Sequence, residues 1–387
     1  MSVSVPSFAK INLGLRIGPL RPDGFHELRT VYQTIALHDF VRVSVGRGSG
    51  IEIQCHDPRV PCDNSNTCHK IAGRAIEALK LRGRVVIEIE KRLPVQGGLG
   101  GASGNAVAAL LALEAATKKQ LSPADRLRIA AEVGSDLPLF LIGGTVLGVG
   151  RGEEVYPLPD LNPTPCVIAL PQIAVSTPEA FRDWDRLCGA GALAREQGLG
   201  EGTASRRAEL PSTNSSHSEP ALAGEESANR RGKAGSSSHS LLGMTSLKND
   251  SQLTSLAASD RMLKSSREIS AWLAAAEGGR RSGVSARGGG RAESPLLDLV
   301  RTGIENDFEK VVFPQHPELR EVKSVLERSG AQYASLSGSG SAVYGLFASR
   351  DKAAAAVKKL ARQGTRAVVT STLTRRQYWK RFQVSSF

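Results

Sequence analysis

The chain has 387 residues, enough for two domains or for one domain with a large appendage. With 40% hydrophobic and 23% charged residues, and no apolar run long enough to cross a bilayer, the composition is that of a soluble protein and excludes an integral membrane helix. The formal charge of +12 suits an anionic partner such as a nucleotide, a nucleic acid or a phosphorylated metabolite, without choosing among them.

The opening stretch MSVSVPSFAKINL enters an alternating apolar pattern almost at once. It has no basic segment followed by an apolar core, so no secretory signal is expected. The five cysteines, Cys55, Cys62, Cys68, Cys166 and Cys188, are an odd number without a scaffold rhythm, which fits a reducing cytoplasm. Cys55-His56 and Cys68-His69 invite a zinc reading, but the spacing through Cys62 fits no short paired-ligand pattern. Period-two alternation predicts strands over residues 41–45 (VRVSV) and 85–90 (VVIEIE).

Residues 94–113 read PVQGGLGGASGNAVAALLAL, with four glycines in five positions, 97–101, running into an Ala/Leu helix. Glycine is costly in regular structure and belongs where a backbone bends tightly or something must lie against it. A strand ending at Arg92 is expected to feed this loop. The helix is expected to start around Gly104 or Asn105 and to bury one side through Val107, Leu110 and Leu111. Free N–H groups at a helix start and the positive end of its dipole make an anion site. Gly97, Gly98, Gly100 and Gly101 would let a pyrophosphate approach the backbone. A Walker A loop is excluded because no lysine lies between Lys91 and Lys118. The dinucleotide fingerprint is excluded because Gly98 and Gly100 lead to Ser103 rather than a third glycine. A plain strand-to-helix turn is the ordinary alternative.

SPADRLRIAAEVG predicts a helix with Ser122 as N-cap, Pro123 at N1, Asp125 at N3 and Gly134 past its end. Asp136, just beyond, could simply cap the next helix. Residues 188–294 are rich in Ser, Gly, Ala and Arg, with Trp272 as their sole aromatic, and read as a mostly disordered insertion with a short helix near SREISAWLAAA. Beyond it, HPELREVKSVLERSG predicts a helix burying Leu319, Val322 and Leu326 and stopped by Gly330. SLSGSG, residues 335–340, is a second glycine-rich turn. SAVYGLF, DKAAAAVKKLARQG and RAVVTSTL then give strand, helix and strand. These patterns predict two α+β domains, residues 1–156 and 157–387, the second interrupted by the insertion.

The motif PVQGGLGGASGNAVAAL resembles the phosphate loop of the GHMP kinases, the family of galactokinase, homoserine kinase and mevalonate kinase. SFAKINLGLRIGPLRPDGFHEL, GSDLPLFLIGGTVLGVGRGEEVYPL, ENDFEKVV and ASLSGSGSAVYGLF resemble segments of one branch of that family, the kinases of a CDP-linked methylerythritol. The resemblance covers nearly everything outside the insertion. It implies an N-terminal domain like domain 2 of ribosomal protein S5 and a ferredoxin-like C-terminal domain.

It further implies transfer of the ATP γ-phosphoryl group to the 2-hydroxyl of the CDP-alcohol, with Mg²⁺. Asp136 matches the proton acceptor. Lys10 matches its cationic partner, although a strand lysine could equally be a surface charge. The ATP loop matches Pro94, Val95, Gln96, Gly97, Gly98, Leu99, Gly100, Gly101, Ala102, Ser103 and Gly104. The loop departs from the family at Gln96, Ala102 and Gly104, where Gly, Gly and Ser are usual; Ser103 remains. Phe25 and His26 match the cytosine-binding pair, Phe25 replacing a commoner tyrosine. Phe181 matches a second stacking ring, Thr177 a nearby hydroxyl, and Asn12, two residues from Lys10, a substrate contact. In the family the second glycine turn closes beside the ATP phosphates.

A homoserine or mevalonate kinase would share the glycine loop but not the Asp23-Gly24-Phe25-His26 element. A basic RNA-binding module is the reading from another class, carried by RRGK and SARGGGR in the insertion. It lacks interleaved aromatics, so nucleic acid is not the expected partner. A monomer or homodimer is expected, with no membrane partner.

Overall fold

Two long strands open the chain and anchor its first sheet. In the computed structural model, which describes residues 2–95, 97–196, 305–382 and 385–386, β1 (Ser2–Leu20) and β2 (His26–Gly46) form an antiparallel hairpin. The ladder shifts register between Phe8 and Ala9 and between Asn12 and Gly14. Such bulges bend a strand and re-aim its side chains. Here they let one strand serve two cores. Val3, Val5 and Phe8 pack into the first, while Ala9, Ile11 and Leu13 pack into the second. Lys10 and Asn12 fall on the alternate positions of the second stretch.

β3 (Ile51–Cys55), α1 (Thr67–Ala78) and β4 (Arg84–Glu90) make a parallel crossover, with β3 beside β4 and β4 antiparallel to β2. α2 (Gly101–Thr117) lies over the sheet and contacts β1, β2, α1 and α4 (Leu137–Ile142). α3 (Pro123–Val133) starts on Ser122, whose hydroxyl accepts from the Asp125 amide as its cap pattern predicts. β5 (Thr145–Val149) pairs with β2, and β6 (Glu154–Pro157) pairs with β5. With β11 (Ser385–Ser386) on the outer edge of β1, this sheet has seven strands among the described residues.

The second sheet is antiparallel in the order β10-β7-β9-β8. Its strands are β7 (Pro165–Leu170), β8 (Ala331–Leu336), β9 (Val343–Phe347) and β10 (Arg366–Ser371). In chain order this is 4-1-3-2, the ferredoxin-like arrangement. Between its strands run α5 (Thr177–Glu196), α6 (Glu309–Gln315), α7 (Pro317–Arg328) and α8 (Arg350–Arg362). Cys166, Ile168, Tyr344 and Leu346 of this sheet share the second core with Ala9, Ile11 and Leu13 of β1. The short α9 (Arg375–Arg381) returns to the first core, where the Tyr378 hydroxyl donates to the Phe140 carbonyl at 2.7 Å. Both sheets belong to one unit.

Some details differ from expectation. β4 ends at Glu90 rather than Arg92, because the amides of Arg92 and Leu93 leave the ladder and donate to Asp39. α2 begins at Gly101, three residues early, because Gly100 adopts φ 69° and serves as its N-cap. Leu111 is only partly buried while Val107 and Leu110 are fully buried, since α2 is enclosed by neighbours on several sides. α5 runs on to Glu196, past the expected start of the insertion at 188; the rest of that insertion, including SREISAWLAAA, lies outside the described residues. Among the described residues no helix is long and apolar enough to cross a membrane.

Candidate active site

The glycine loop sits between β4 and the first turn of α2, and a second loop locks onto it. Gly98 and Gly100 take φ of 74° and 69°, conformations that glycine adopts at little cost. The Ser337 hydroxyl donates to the Gly98 carbonyl at 3.0 Å, and the Ala342 amide donates to the Gly97 carbonyl at 3.2 Å. A Cβ at Gly98 would fall on the Ser337 carbonyl oxygen and lie 3.1 Å from the Gly340 nitrogen. The turn 335–340 and the loop 94–104 are thus in backbone contact, which only paired glycines allow. Asn306 fastens the turn from behind, donating to the carbonyls of Leu336 and Gly338 at 2.9 and 2.8 Å.

A cleft of about 330 Å³ opens at this loop. Gly97 to Ser103 line one side; Asn66, Thr67 and Lys91 line the other. The cleft therefore receives two helix N-termini, those of α1 and α2, and their N–H groups favour an anion. Gln96 lies outside the described residues, while Pro94 and Val95 are also among the lining residues, with Leu99 and Ala102 inside the 97–103 stretch. Gly104 faces β1: a Cβ there would come 2.8 Å from the Phe8 carbonyl oxygen and 2.9 Å from Ser7 Oγ. The serine usual in the family has no room at this position unless β1 moves.

Behind the loop stands a pair that the sequence did not flag. Asp39 is fully buried; Oδ1 accepts the Arg92 and Leu93 amides, both at 2.7 Å, and Oδ2 pairs with Lys91 Nζ at 2.5 Å. A charge enclosed this way must be matched, and removing one partner strands the other. Asp39→Ala is expected to lower stability by about 3–5 kcal/mol. Urea unfolding measures this, and a change under about 1 kcal/mol would show the pair to be unimportant.

Lys10 and Asp136 meet next to the loop. The Lys10 amide donates to the Leu99 carbonyl at 2.9 Å, and a Cβ at Gly100 would touch Lys10 Cγ at 3.0 Å. Lys10 is 3% exposed, so it is no surface charge. Its Nζ donates to Asn12 Oδ1 at 2.6 Å and lies 3.5 Å from Asp136 Oδ2. Burial pulls the Lys10 ammonium below its usual value, and the Asp136 carboxylate works against that shift. Asp136 stands at the start of α4 but makes no side-chain cap bond; its Oδ1 instead accepts the Tyr32 hydroxyl at 2.9 Å. The carboxylate remains 34% exposed. Asn12 Nδ2 donates to Thr30 Oγ1 at 2.7 Å, fixing the amide's orientation.

The expected base-binding residues form a separate group. Phe25, at the tip of the β1–β2 hairpin, is 51% exposed, with the Arg151 guanidinium 5.0 Å from its ring centre. His26 is buried; Nδ1 is 3.0 Å from the Gly18 carbonyl oxygen, and Nε2 is 3.2 Å from Asp185. Phe181 stacks on His26 with ring centres 5.2 Å apart and planes 6° from parallel. Thr177 Oγ1 shares a 2.7 Å hydrogen bond with Ser339 Oγ, tying the start of α5 to the second glycine turn.

The chain matches known proteins along most of its length. Residues 66–144 match the model of the GHMP kinases N terminal domain, and residues 293–366 match that of GHMP kinases C terminal. The chain is 31% identical over 378 residues to 4-diphosphocytidyl-2-C-methyl-D-erythritol kinase of Solibacter usitatus, covering 97% of this chain and 91% of the relative. It is 32% identical over 346 residues to the protein of that name from Acaryochloris marina, covering 89% and 87%. The crystal structure of a 4-(cytidine 5'-diphospho)-2C-methyl-D-erythritol kinase superposes with a TM-score of 0.59 at 26% identity, covering 95% of this chain and 98% of that one. The chain belongs to the GHMP kinase family, among the 4-diphosphocytidyl-2-C-methyl-D-erythritol kinases.

Proposed function

We propose that this chain phosphorylates the 2-hydroxyl of 4-(cytidine 5'-diphospho)-2-C-methyl-D-erythritol with ATP, a step toward isoprenoid precursors, as a cytoplasmic monomer or homodimer. The observation that carries the reading is the 3.5 Å pairing of Lys10 with Asp136 directly beside the interlocked glycine loops. Phosphoryl transfer needs placement of the phosphates, an in-line hydroxyl, acceptance of its proton and neutralisation of charge. The amides of the 94–104 loop take the polyphosphate. Asp136 receives the proton from the acceptor hydroxyl, and Lys10 faces the negative charge that develops on the transferred group. Asn12, whose amide is held by Thr30, bonds the acceptor.

The donors in the cleft fit a hard cation: Asn105 Oδ1 is buried there without a partner, and Ser103 lines the same wall. Asn105 and Ser103 would hold Mg²⁺ together with the ATP phosphates. The bound ion would neutralise charge on the phosphoryl oxygens.

The cytosine ring stacks on the exposed Phe25, which has the Arg151 guanidinium 5.0 Å from its ring centre and is followed in the hairpin by His26, the ring on which Phe181 stacks. Phe25→Ala is expected to raise KM for the CDP-alcohol roughly tenfold, since base–aromatic stacking is worth about 1–3 kcal/mol. The contact exists in ground and transition states alike, so kcat should change little. Steady-state kinetics separates the two, and a fall in kcat at constant KM would contradict the stacking role.

A panel of acceptors tests the whole reading. The purified protein with ATP and Mg²⁺ should release ADP with the CDP-alcohol and be far slower with mevalonate or homoserine. Preference for either of those acceptors would overturn the assignment.

A further inference from the structure

Tyr32 sits in the middle of β2, opposite Asn12 of β1 and Val146 of β5. Its ring is 2% exposed, yet its hydroxyl reaches the half-open Asp136 carboxylate and donates to Oδ1 at 2.9 Å. Lys10 approaches the other oxygen and also stands 5.7 Å from the centre of the Tyr32 ring. The chain makes deliberate room for this ring. A Cβ at Gly148 would come 2.5 Å from Tyr32 Cε2, and a Cβ at Gly152 would come 2.5 Å from the phenol oxygen. Two glycines of the GVGRG segment therefore leave space that the phenol fills.

A carboxylate on a terminal sp² torsion turns easily between orientations. Asp136 makes no cap bond to α4 that would stop it. We propose that Tyr32 is a positioning residue for phosphoryl transfer, fixing the rotation of the Asp136 carboxylate so that its remaining lone pairs face the acceptor hydroxyl. The inference rests on the reading of Asp136 as proton acceptor. Burial, the Asp136 charge and the nearby Glu153 hold the phenol proton far above its usual range, so the donor persists throughout the working pH range. Tyr32 is neutral and interior, so it adds orientation without adding charge.

The test compares the wild type with Tyr32→Phe, which keeps the ring and removes the one hydroxyl. A second variant, Gly152→Ala, keeps the hydroxyl and presses on it. Melting temperature identifies which variants are folded, and folded variants decide the matter. A folded variant should show kcat lowered about tenfold or more, with KM for ATP and for the CDP-alcohol within about twofold of wild type. A purely structural role for the phenol would not split kcat from both KM values in this way. Wild-type kcat in folded Tyr32→Phe, or a raised KM at unchanged kcat, would overturn the inference while leaving the kinase reading intact. A wild type that phosphorylates no CDP-alcohol would instead remove the kinase reading and this inference with it.

Discussion

Asp136→Asn is expected to lower kcat at least a hundredfold while the protein stays folded and its KM for ATP stays close to wild type. The size comes from the chemistry, since a positioned general base contributes typically about 10²–10⁴-fold. An amide of the same shape still accepts the Tyr32 hydroxyl bond but cannot take the acceptor's proton. The fold should tolerate the change because Asp136 makes no cap bond to α4 and its side chain is 34% exposed. The Lys10 ammonium loses its charged neighbour; burial already pulls its pKa down, and Asp136 opposes that shift, so the pKa should fall further in the variant. Rate and melting temperature measured on one preparation check both halves. A variant with normal turnover would remove the proposed base, and one that unfolds would make Asp136 a structural residue.

Gly98→Ala should be damaging for a different reason. Its φ of 74° lies in the left-handed region, costing a residue with a Cβ about 1–2 kcal/mol. The added methyl would also land on the Ser337 carbonyl oxygen, a backbone atom that cannot rotate away. Overpacking of this kind costs about 1–3 kcal/mol more. Relief must come from parting the two glycine turns, which breaks the Ser337–Gly98 and Ala342–Gly97 hydrogen bonds. The expected result is a loss of about 2–5 kcal/mol in stability. A rise in KM for ATP of roughly tenfold or more should accompany it, because the amides proposed to take the phosphates move with the turn. Gly46→Ala is the control: φ there is not positive and a Cβ would meet nothing within 4 Å. Equal effects in the two variants would show that the contact between the loops carries no weight.

Much of this architecture was legible in the sequence because local chemistry dictated it. Ser122 and Gly134 bracket α3 as their capping preferences require, and the alternation in VVIEIE became β4. The ends of the glycine loop depart from the local pattern because tertiary contacts set them. Asp39 draws the Arg92 and Leu93 amides out of the ladder, and Gly100 in the left-handed region lets the helix begin early. Lys10 and Asp136 could each have been ordinary residues on local pattern alone, since a strand lysine and a pre-helix aspartate are common. Only the folded chain brings residues so far apart in sequence to 3.5 Å. Asp39 and Tyr32 gave weaker signals still. An acid and an aromatic within a long strand look unremarkable until burial shows that one holds two amides and the other holds a carboxylate.

A crystal structure with a non-hydrolysable ATP analogue and the CDP-alcohol tests the central arrangement most directly. The γ-phosphate should rest on the main-chain amides of residues 97–103, with the acceptor's 2-hydroxyl in line with it and about 2.6–3.2 Å from an Asp136 oxygen. A γ-phosphate bound away from that loop, or a 2-hydroxyl turned from Asp136 and Lys10 in the closed complex, would contradict it.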